Sequence, residues 1–149
     1  MKIAVFPGSF DPITMGHVDV VTRCLPLFDK IIIGIGTNAS KQYLFSQQQR
    51  EDFIKESFKG VAKIACMHYE KLTVEFCKKQ NAQFIIRGLR NSTDFDFETS
   101  IAQMNRALSP QIETLFIPCS PQLIAISSTI VRDIIRNGGN AQPFLNFKL

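Results

Sequence analysis

Apolar residues along the chain fall into short continuous runs that alternate with stretches where they recur every three or four positions. Lys2-Ile3-Ala4-Val5-Phe6 is one run, closed by Pro7-Gly8, and Lys30-Ile31-Ile32-Ile33-Gly34-Ile35-Gly36 is a second. Apolar residues at adjacent positions suit a strand buried on both faces, so both runs predict central strands. Between them Val18, Val21, Leu25 and Phe28 keep helical spacing, and Pro26 ends or bends that helix in its last turn. Ser46-Gln47-Gln48-Gln49 has the spacing of a capping box, which predicts a helix through Phe58. Further strands are predicted over Val61 to His68, Phe84 to Ile86 and Thr114 to Ile117. Further helices are predicted over Thr73 to Gln80 and Phe95 to Leu108, the latter with Ile101, Met104, Ala107 and Leu108 facing inward. Ser127-Ser128-Thr129 offers caps for a last helix through Arg136, stopped at Gly138-Gly139, where a left-handed residue costs little.

Five strand-then-helix units predict an α/β fold: a Rossmann-like doubly wound sheet of five mostly parallel strands with helices on both faces. No repeat, low-complexity segment or linker divides the chain, so one domain is expected over 1–149. Ligands of such sheets bind outside the carboxyl ends of the strands, near the point where strand order reverses. The segments expected there are unusually polar: Pro7 to His17, Thr37 to Lys41, Arg87 to Arg90, and Ile126 to Thr129.

Composition narrows the function classes. The 149 residues carry 17 Lys+Arg against 13 Asp+Glu, but no basic run exceeds Lys78-Lys79, so nucleic acid is not an expected partner. The charge-free stretch Thr114 to Val131 is broken by Pro118, Pro121 and Gln122, and no membrane span is expected. Four apolar residues before Pro7 are too few for a secretory signal, which points to the cytoplasm. Cys24, Cys66, Cys77 and Cys119 stand far apart with no C-x-x-C pair, so reduced thiols and no protein-held metal are expected.

The first loop has neither the P-loop pattern nor the spaced glycines of a dinucleotide fingerprint. Gly8 permits a positive φ and close approach of a ligand, and Gly16 leaves room beside His17 at the first turn of a helix. Oriented N–H groups, the helix's positive end and an imidazole would converge on an anion there. A Pro/Gly-punctuated turn with an exposed histidine explains the same residues, and the loop alone leaves both readings open. His68, at a predicted strand end with no partner in view, reads as structural or exposed.

The order Pro7-Gly8-Ser9-Phe10-Asp11-Pro12-x-Thr14-x-Gly16-His17 resembles the signature of the nucleotidyltransferases that share an (H/T)-x-G-H motif, and Ile126-Ser127-Ser128-Thr129-x-x-Arg132 resembles their second signature. Ile86-Arg87-Gly88-Leu89-Arg90, then Asp94-Phe95-x-x-Glu98 and Met104-Asn105-Arg106, with Lys41 in register, is similar to the phosphopantetheine adenylyltransferases over nearly the whole chain. The resemblance implies AMP transfer from ATP to 4'-phosphopantetheine, Mg²⁺ held mainly by the ATP phosphates, and a homohexamer. It further implies that His17, Lys41 and Arg90 act on the reacting phosphates. ATP would lie against Ser9, Phe10, His17, Gly88, Leu89, Arg90, Glu98 and Leu123-Ile124-Ala125-Ile126-Ser127-Ser128-Thr129, and the acceptor against Ser9, Lys41, Thr73 and Arg87. Ser9 stands where a threonine is common, Leu123 where an aromatic is frequent and Thr73 where an apolar residue is usual, and the tail after Pro143 is shorter than usual.

The implied chemistry asks little of a protein base, because a phosphate monoester with a second pKa of about 6 is largely a dianion near neutrality. What it needs is two polyanions brought in line and charge stabilised on the α-phosphate and departing pyrophosphate. Other readings coexist. Lys41 reads equally as a solvated loop lysine, Arg87 and Arg90 as surface ion pairs, Glu98 as a helix-surface carboxylate and Thr73 as a plain N-cap. The acceptor could instead be nicotinate mononucleotide or a cytidylyl-transfer substrate, and a non-catalytic nucleotide-binding module would share the same sheet.

Overall fold

A computed structural model describes all residues, Met1–Leu149. The predicted alternation is realised as β1 (Ile3–Gly8), α1 (Met15–Cys24), β2 (Lys30–Gly36), α2 (Gln47–Ser57), β3 (Ile64–Tyr69), α3 (Thr73–Lys79), β4 (Phe84–Leu89), α4 (Ser92–Leu108), β5 (Glu113–Pro118) and α5 (Ser128–Arg136). The strands form one sheet in the order β3-β2-β1-β4-β5, and every pairing is parallel. Strand order therefore reverses beside β1, between it and β4.

Alternation along the strands sorts the core onto two faces. Ala4, Phe6, Ile31, Ile33, Ile35 and Ile86 belong to a cluster of 18 buried residues that includes Val20, Val21, Ile54 and Val131 from α1, α2 and α5. Val5, Ile32 and Ile85 belong to a cluster of 8 with Val74, Phe76 and Cys77 of α3. Ile33 is fully buried, and truncating it to alanine would cost about 2–5 kcal/mol.

Local signals set most element ends. Ser46 Oγ accepts from the Gln49 N–H at 3.1 Å while Gln49 Oε1 accepts from the Ser46 N–H at 3.0 Å, the reciprocal pair its spacing predicted. Pro26 falls in a 3₁₀ turn, Leu25–Leu27, that ends α1. Gly138 has φ +76 beyond α5. Leu145 and Phe147 are buried, and Phe147 stacks on Phe53 of α2 with ring centroids 4.1 Å apart, so the short tail docks on that helix.

Five expectations change. β1 runs on through Pro7-Gly8, pairing Pro7 with Gly34 and Gly8 with Ile35, and β4 extends to Leu89. β3 begins only at Ile64. Helix α4 begins at Ser92 because Asn91 caps it, its side chain accepting from the Asp94 N–H at 2.9 Å. Ile101, Met104, Ala107 and Leu108 do not face inward: all are exposed, Met104 by 63%. Glu98 is the one buried residue of α4, and Phe97, Ile101, Met104 and Leu108, at spacings of three and four, form an apolar stripe beside that contact line.

Candidate active site

The crevice at the switch point is built by strand divergence. β1 pairs with β2 over six residues, Ile3 to Gly8, but with β4 only through Ala4 and Val5. Past Val5 the two strands part, and Pro7, which has no N–H to lose, sits where they part. Its carbonyl accepts instead from Arg87 Nη1 at 2.8 Å, a side chain bridging where the ladder stops.

His17 enters this crevice from the first turn of α1. The Thr14 N–H donates to His17 Nδ1 at 3.0 Å, and the ring packs edge-on against Phe10 with centroids 5.3 Å apart. Burial, then the charges of Arg87 and Arg90, push the imidazole pKa down to about 4, so it is neutral near pH 7. The loop before it differs from expectation in one respect. The positive φ belongs to Phe10 (48°) rather than Gly8. Gly8 is required for space, because a Cβ there would meet the Phe10 ring at 3.0 Å. That ring is buried in the core, so Phe10 presents backbone to the crevice.

Lys41 reaches the same point from the segment after β2. Its Nζ donates to Ser9 Oγ at 3.0 Å, a tether that an ordinary solvated lysine lacks. Two buried groups hold this segment against the first loop. The Asp11 carboxylate accepts from the N–H groups of Leu44 at 2.8 Å and Phe45 at 2.9 Å. Arg50, 1% exposed, donates Nη1 to the Ser9 carbonyl at 2.8 Å and lies 4.0 Å from the centroid of the Tyr43 ring.

From β4, Arg87 forms a bidentate pair with Glu98, Nε to Oε2 at 2.9 Å and Nη2 to Oε1 at 2.6 Å. The pair is half-buried, with Glu98 the more enclosed partner, unlike the surface pairing the sequence left open. Arg90 pairs with Asp94 at 3.1 Å in a more exposed setting. Burial raises the Asp94 pKa, but the hydrogen bonds from Arg90 outweigh it and hold the carboxyl below its usual range. At the start of α5, Ser127 Oγ accepts from the Ile130 N–H at 3.2 Å and Ser128 Oγ donates to the Pro12 carbonyl at 2.8 Å. Arg132 Nη1 donates to the Asp11 carbonyl at 2.9 Å, which ties that helix to the first loop.

Two cavities of about 330 and 340 Å³ open here. The larger collects His17, Gly88, Arg90 and the turn Ile126 to Thr129; the smaller collects Tyr69, Thr73 and Asn105. Pro7, Gly8, Ser9, Lys41, Arg87 and Glu98 border both, which makes them the junction. Leu89, Leu123, Ile124 and Ala125 border neither cavity. Thr73 is no N-cap, since Leu72 holds that place, and its hydroxyl shares a 2.9 Å hydrogen bond with Tyr69.

The family model described as cytidylyltransferase-like matches residues 5–134. The chain is 55% identical over 140 residues to the phosphopantetheine adenylyltransferase of Flavobacterium psychrophilum, covering 94% of this chain and 92% of that protein. It is 48% identical over 148 residues to the one from Cytophaga hutchinsonii, covering 99% of each. The chain belongs to the phosphopantetheine adenylyltransferase family. In fold it is similar to a bifunctional NMN adenylyltransferase/ADP ribose pyrophosphatase from Francisella tularensis, with TM-score 0.71 at 17% identity over 98% of this chain. It spans 45% of that longer chain, and the likeness is one of fold.

Both signatures that resemble the nucleotidyltransferases sharing the (H/T)-x-G-H motif, the one ending at His17 and the one opening at Ile126, thus converge on the cavity of His17. Sequence reasoning gave no role to Asp11, Tyr43, Arg50 or Arg132, which shape the loops from behind. Asp11 and Arg132 lie inside the quoted motifs, but an arginine at the fourth place of a polar helix carries no mark of burial. His68 is exposed and its Nε2 lies 2.7 Å from Glu51, on neither cavity wall. The four cysteines are free. Burial pushes the Cys66 and Cys77 thiols up to about 12, which leaves them unreactive. No helix is long and apolar enough to cross a membrane.

Proposed function

We propose that the protein transfers AMP from ATP to 4'-phosphopantetheine, giving dephospho-coenzyme A and pyrophosphate. The observation that carries this reading is the junction: two cavities that meet at Ser9, Lys41 and Arg87 suit two phosphate-bearing substrates whose reacting ends must come within contact. ATP occupies the cavity of His17, Arg90 and the turn Ile126 to Thr129, where the N-terminus of α5 favours negative charge. The acceptor occupies the cavity of Thr73 and Asn105 with its phosphate toward Arg87 and Lys41.

An oxygen of the acceptor phosphate attacks the α-phosphorus and the bond to pyrophosphate breaks. The attacking group is already a dianion, so no side chain removes a proton. Nδ1 of His17 accepts the Thr14 N–H, so the neutral imidazole carries its proton on Nε2 and is a donor to phosphate oxygen. Lys41 and Arg90 supply fixed positive charge, and Ser9 holds Lys41 at the junction.

Mg²⁺ fits as a companion of the nucleotide. The carboxylates at the crevice are engaged, Glu98 by Arg87, Asp94 by Arg90 and Asp11 by two backbone N–H groups, so the oxygens open to a hard cation are those of the phosphates. When bound, the ion draws charge from the transferring and leaving phosphates. Four free thiols suit the reducing cytoplasm. The apolar stripe of α4 suits burial between subunits, consistent with a homohexamer.

Pyrophosphate release from MgATP tests the reading, with 4'-phosphopantetheine, nicotinate mononucleotide and nicotinamide mononucleotide as parallel acceptors, and CTP with glycerol 3-phosphate as a further pair. Turnover with 4'-phosphopantetheine alone is expected. Turnover with a mononucleotide or glycerol 3-phosphate instead would overturn the acceptor, and ATP binding without any turnover would overturn the enzyme.

A further inference from the structure

We infer that Tyr69 is a positioning residue for Thr73: its O–H donates to Thr73 Oγ1 and so aims the Thr73 hydroxyl hydrogen at an amide carbonyl in the arm of 4'-phosphopantetheine; the inference rests on the proposed reaction. Tyr69 closes β3 opposite Gly36 of β2, and its ring lies back over β2 instead of standing beyond the sheet edge. Glycine makes that seat. A Cβ on Gly34 would meet the Tyr69 ring at 3.2 Å and the Phe76 ring at 3.1 Å, and one on Gly36 would lie 3.4 Å from the Tyr69 hydroxyl oxygen. Phe76 of α3 stacks on the ring, with centroids 4.6 Å apart and planes 12° apart. The phenol so held reaches Thr73 Oγ1 at 2.9 Å, on the wall of the acceptor cavity.

The pair has one hydrogen to give. Two hydroxyls bring one proton each, and the bond between them uses one. A phenol is the more acidic hydroxyl and an aliphatic alcohol oxygen the better acceptor, so the Tyr69 hydrogen lies in the shared bond and the Thr73 hydrogen is left over. Burial raises the Tyr69 pKa above its usual range, which keeps that donor protonated at working pH. A threonine in a helix often turns its hydroxyl back onto the carbonyl four residues earlier, here that of Tyr69. That carbonyl is already taken, by the Thr37 N–H at 3.0 Å and the Thr37 hydroxyl at 3.2 Å. A hydroxyl that accepts one hydrogen bond donates the next more strongly, and an amide carbonyl is a strong neutral acceptor. The arm of 4'-phosphopantetheine carries two, and with Ile85, Ile101 and Ala102 on the same wall few other groups compete for them.

The test is a kinetic split with a rescue, varying 4'-phosphopantetheine and ATP separately. Tyr69→Phe keeps the ring and its stack on Phe76, Thr73→Val keeps the side-chain shape, and Thr73→Ser keeps the hydroxyl. Thr73→Val is expected to raise KM for 4'-phosphopantetheine about tenfold and Tyr69→Phe about fivefold, the scale of one hydrogen bond, while KM for ATP changes less than twofold. Thr73→Ser is expected to stay within twofold of wild type. Because Tyr69 acts through Thr73, the Tyr69→Phe, Thr73→Val double variant should be no worse than Thr73→Val alone. A wild-type KM for 4'-phosphopantetheine in Tyr69→Phe or in Thr73→Val would overturn the inference, as would losses that multiply in the double variant. Thr73→Ser as poor as Thr73→Val would assign the effect to packing of the methyl group and overturn it as well. Wild-type protein in the same assay separates the two readings. If it fails to turn over 4'-phosphopantetheine, the proposed reaction falls and this inference with it; if it turns over and the split is wrong, only the inference falls.

Discussion

Thr14 and His17 fix each other: the Thr14 N–H donates to Nδ1 at 3.0 Å, which caps the start of α1 and assigns the imidazole proton to Nε2 in one contact. A donor so held gains its effect from being oriented before charge develops. His17→Ala is expected to lower kcat by about 10²-fold with little change in thermal stability. His17→Gln, whose amide N–H can take the place of Nε2–H, is expected to recover part of that loss. Equal kcat in wild type and His17→Ala, measured at saturating substrates, would remove the imidazole from the mechanism.

The same residue sets an expectation for pH. Since His17 in the free protein titrates at about 4, it keeps one protonation state across the range where the acceptor's phosphate, with a second pKa of about 6, loses its dianion form. kcat/KM for the acceptor reports the free species, so its acid limb should fall at the phosphate's pKa and stay there in His17→Gln. Stability carries the opposite signature. The unfolded chain takes up a proton at His17 near 6.5 that the native state refuses until about 4, so stability falls as pH drops through that window. His17→Gln should flatten this part of the melting-temperature profile. An acid limb of kcat/KM that vanishes in the variant would mean that His17 itself titrates in turnover.

How far the chain could be read follows from the kind of signal each feature leaves. The β2 run from Ile31 to Ile35 and the reciprocal cap of Ser46 and Gln49 are local patterns, and each forms where its pattern lies. The continuation of β1 through Pro7-Gly8 was hidden, because proline and glycine usually punctuate a strand; here β4 has already moved away and no ladder bond is lost. The inward face assigned to α4 failed for a related reason. Helical periodicity locates a stripe but not what covers it, and in α4 the one buried side chain is Glu98, while the apolar stripe stays exposed and only Ile101 of it also borders the crevice. The candidate site was legible where motifs reach the crevice directly, at His17, Arg87 and Ser127 to Thr129. The bidentate use of Glu98 and the burial of Arg50 depend on partners 11 and 41 residues away, and no local pattern encodes them.

Arg50 and Tyr43 form the support behind Ser9. The guanidinium is buried with no carboxylate partner, bonded to the Ser9 carbonyl and stacked on a ring whose centroid is also 5.6 Å from Lys41 Nζ. Such cation–π contacts contribute on the order of 0.5–2 kcal/mol, enough to hold a loop register without dominating the fold. Tyr43→Ala is expected to lower kcat about tenfold by loosening Lys41 against the junction, with Tyr43→Phe near wild type because the ring is kept. Circular dichroism melts would show both variants folded. Equal kcat in Tyr43→Ala and Tyr43→Phe would leave the ring with no part in placing Lys41.

The α4 stripe bears on assembly. Phe97 (66% exposed), Ile101, Met104 and Leu108 put four large apolar side chains on one flank of a single helix, adjoining the face where Glu98 reaches Arg87. Leaving that much apolar surface wet costs about 25 cal/mol per Å², and burying it against equivalent surfaces of other copies recovers that cost. Sedimentation of the wild-type protein is expected to show a hexamer, and Met104→Asp to shift it to smaller species, since an uncompensated carboxylate cannot be buried in an apolar contact. Activity should fall along with assembly. The adjoining face of α4 bears on the site, so a helix freed from its neighbours would hold Glu98, and through it Arg87, less firmly; the loss should therefore be greater in KM for the acceptor than in KM for ATP. A hexamer that survives Met104→Asp would place the subunit contact elsewhere and leave the stripe without a role in assembly.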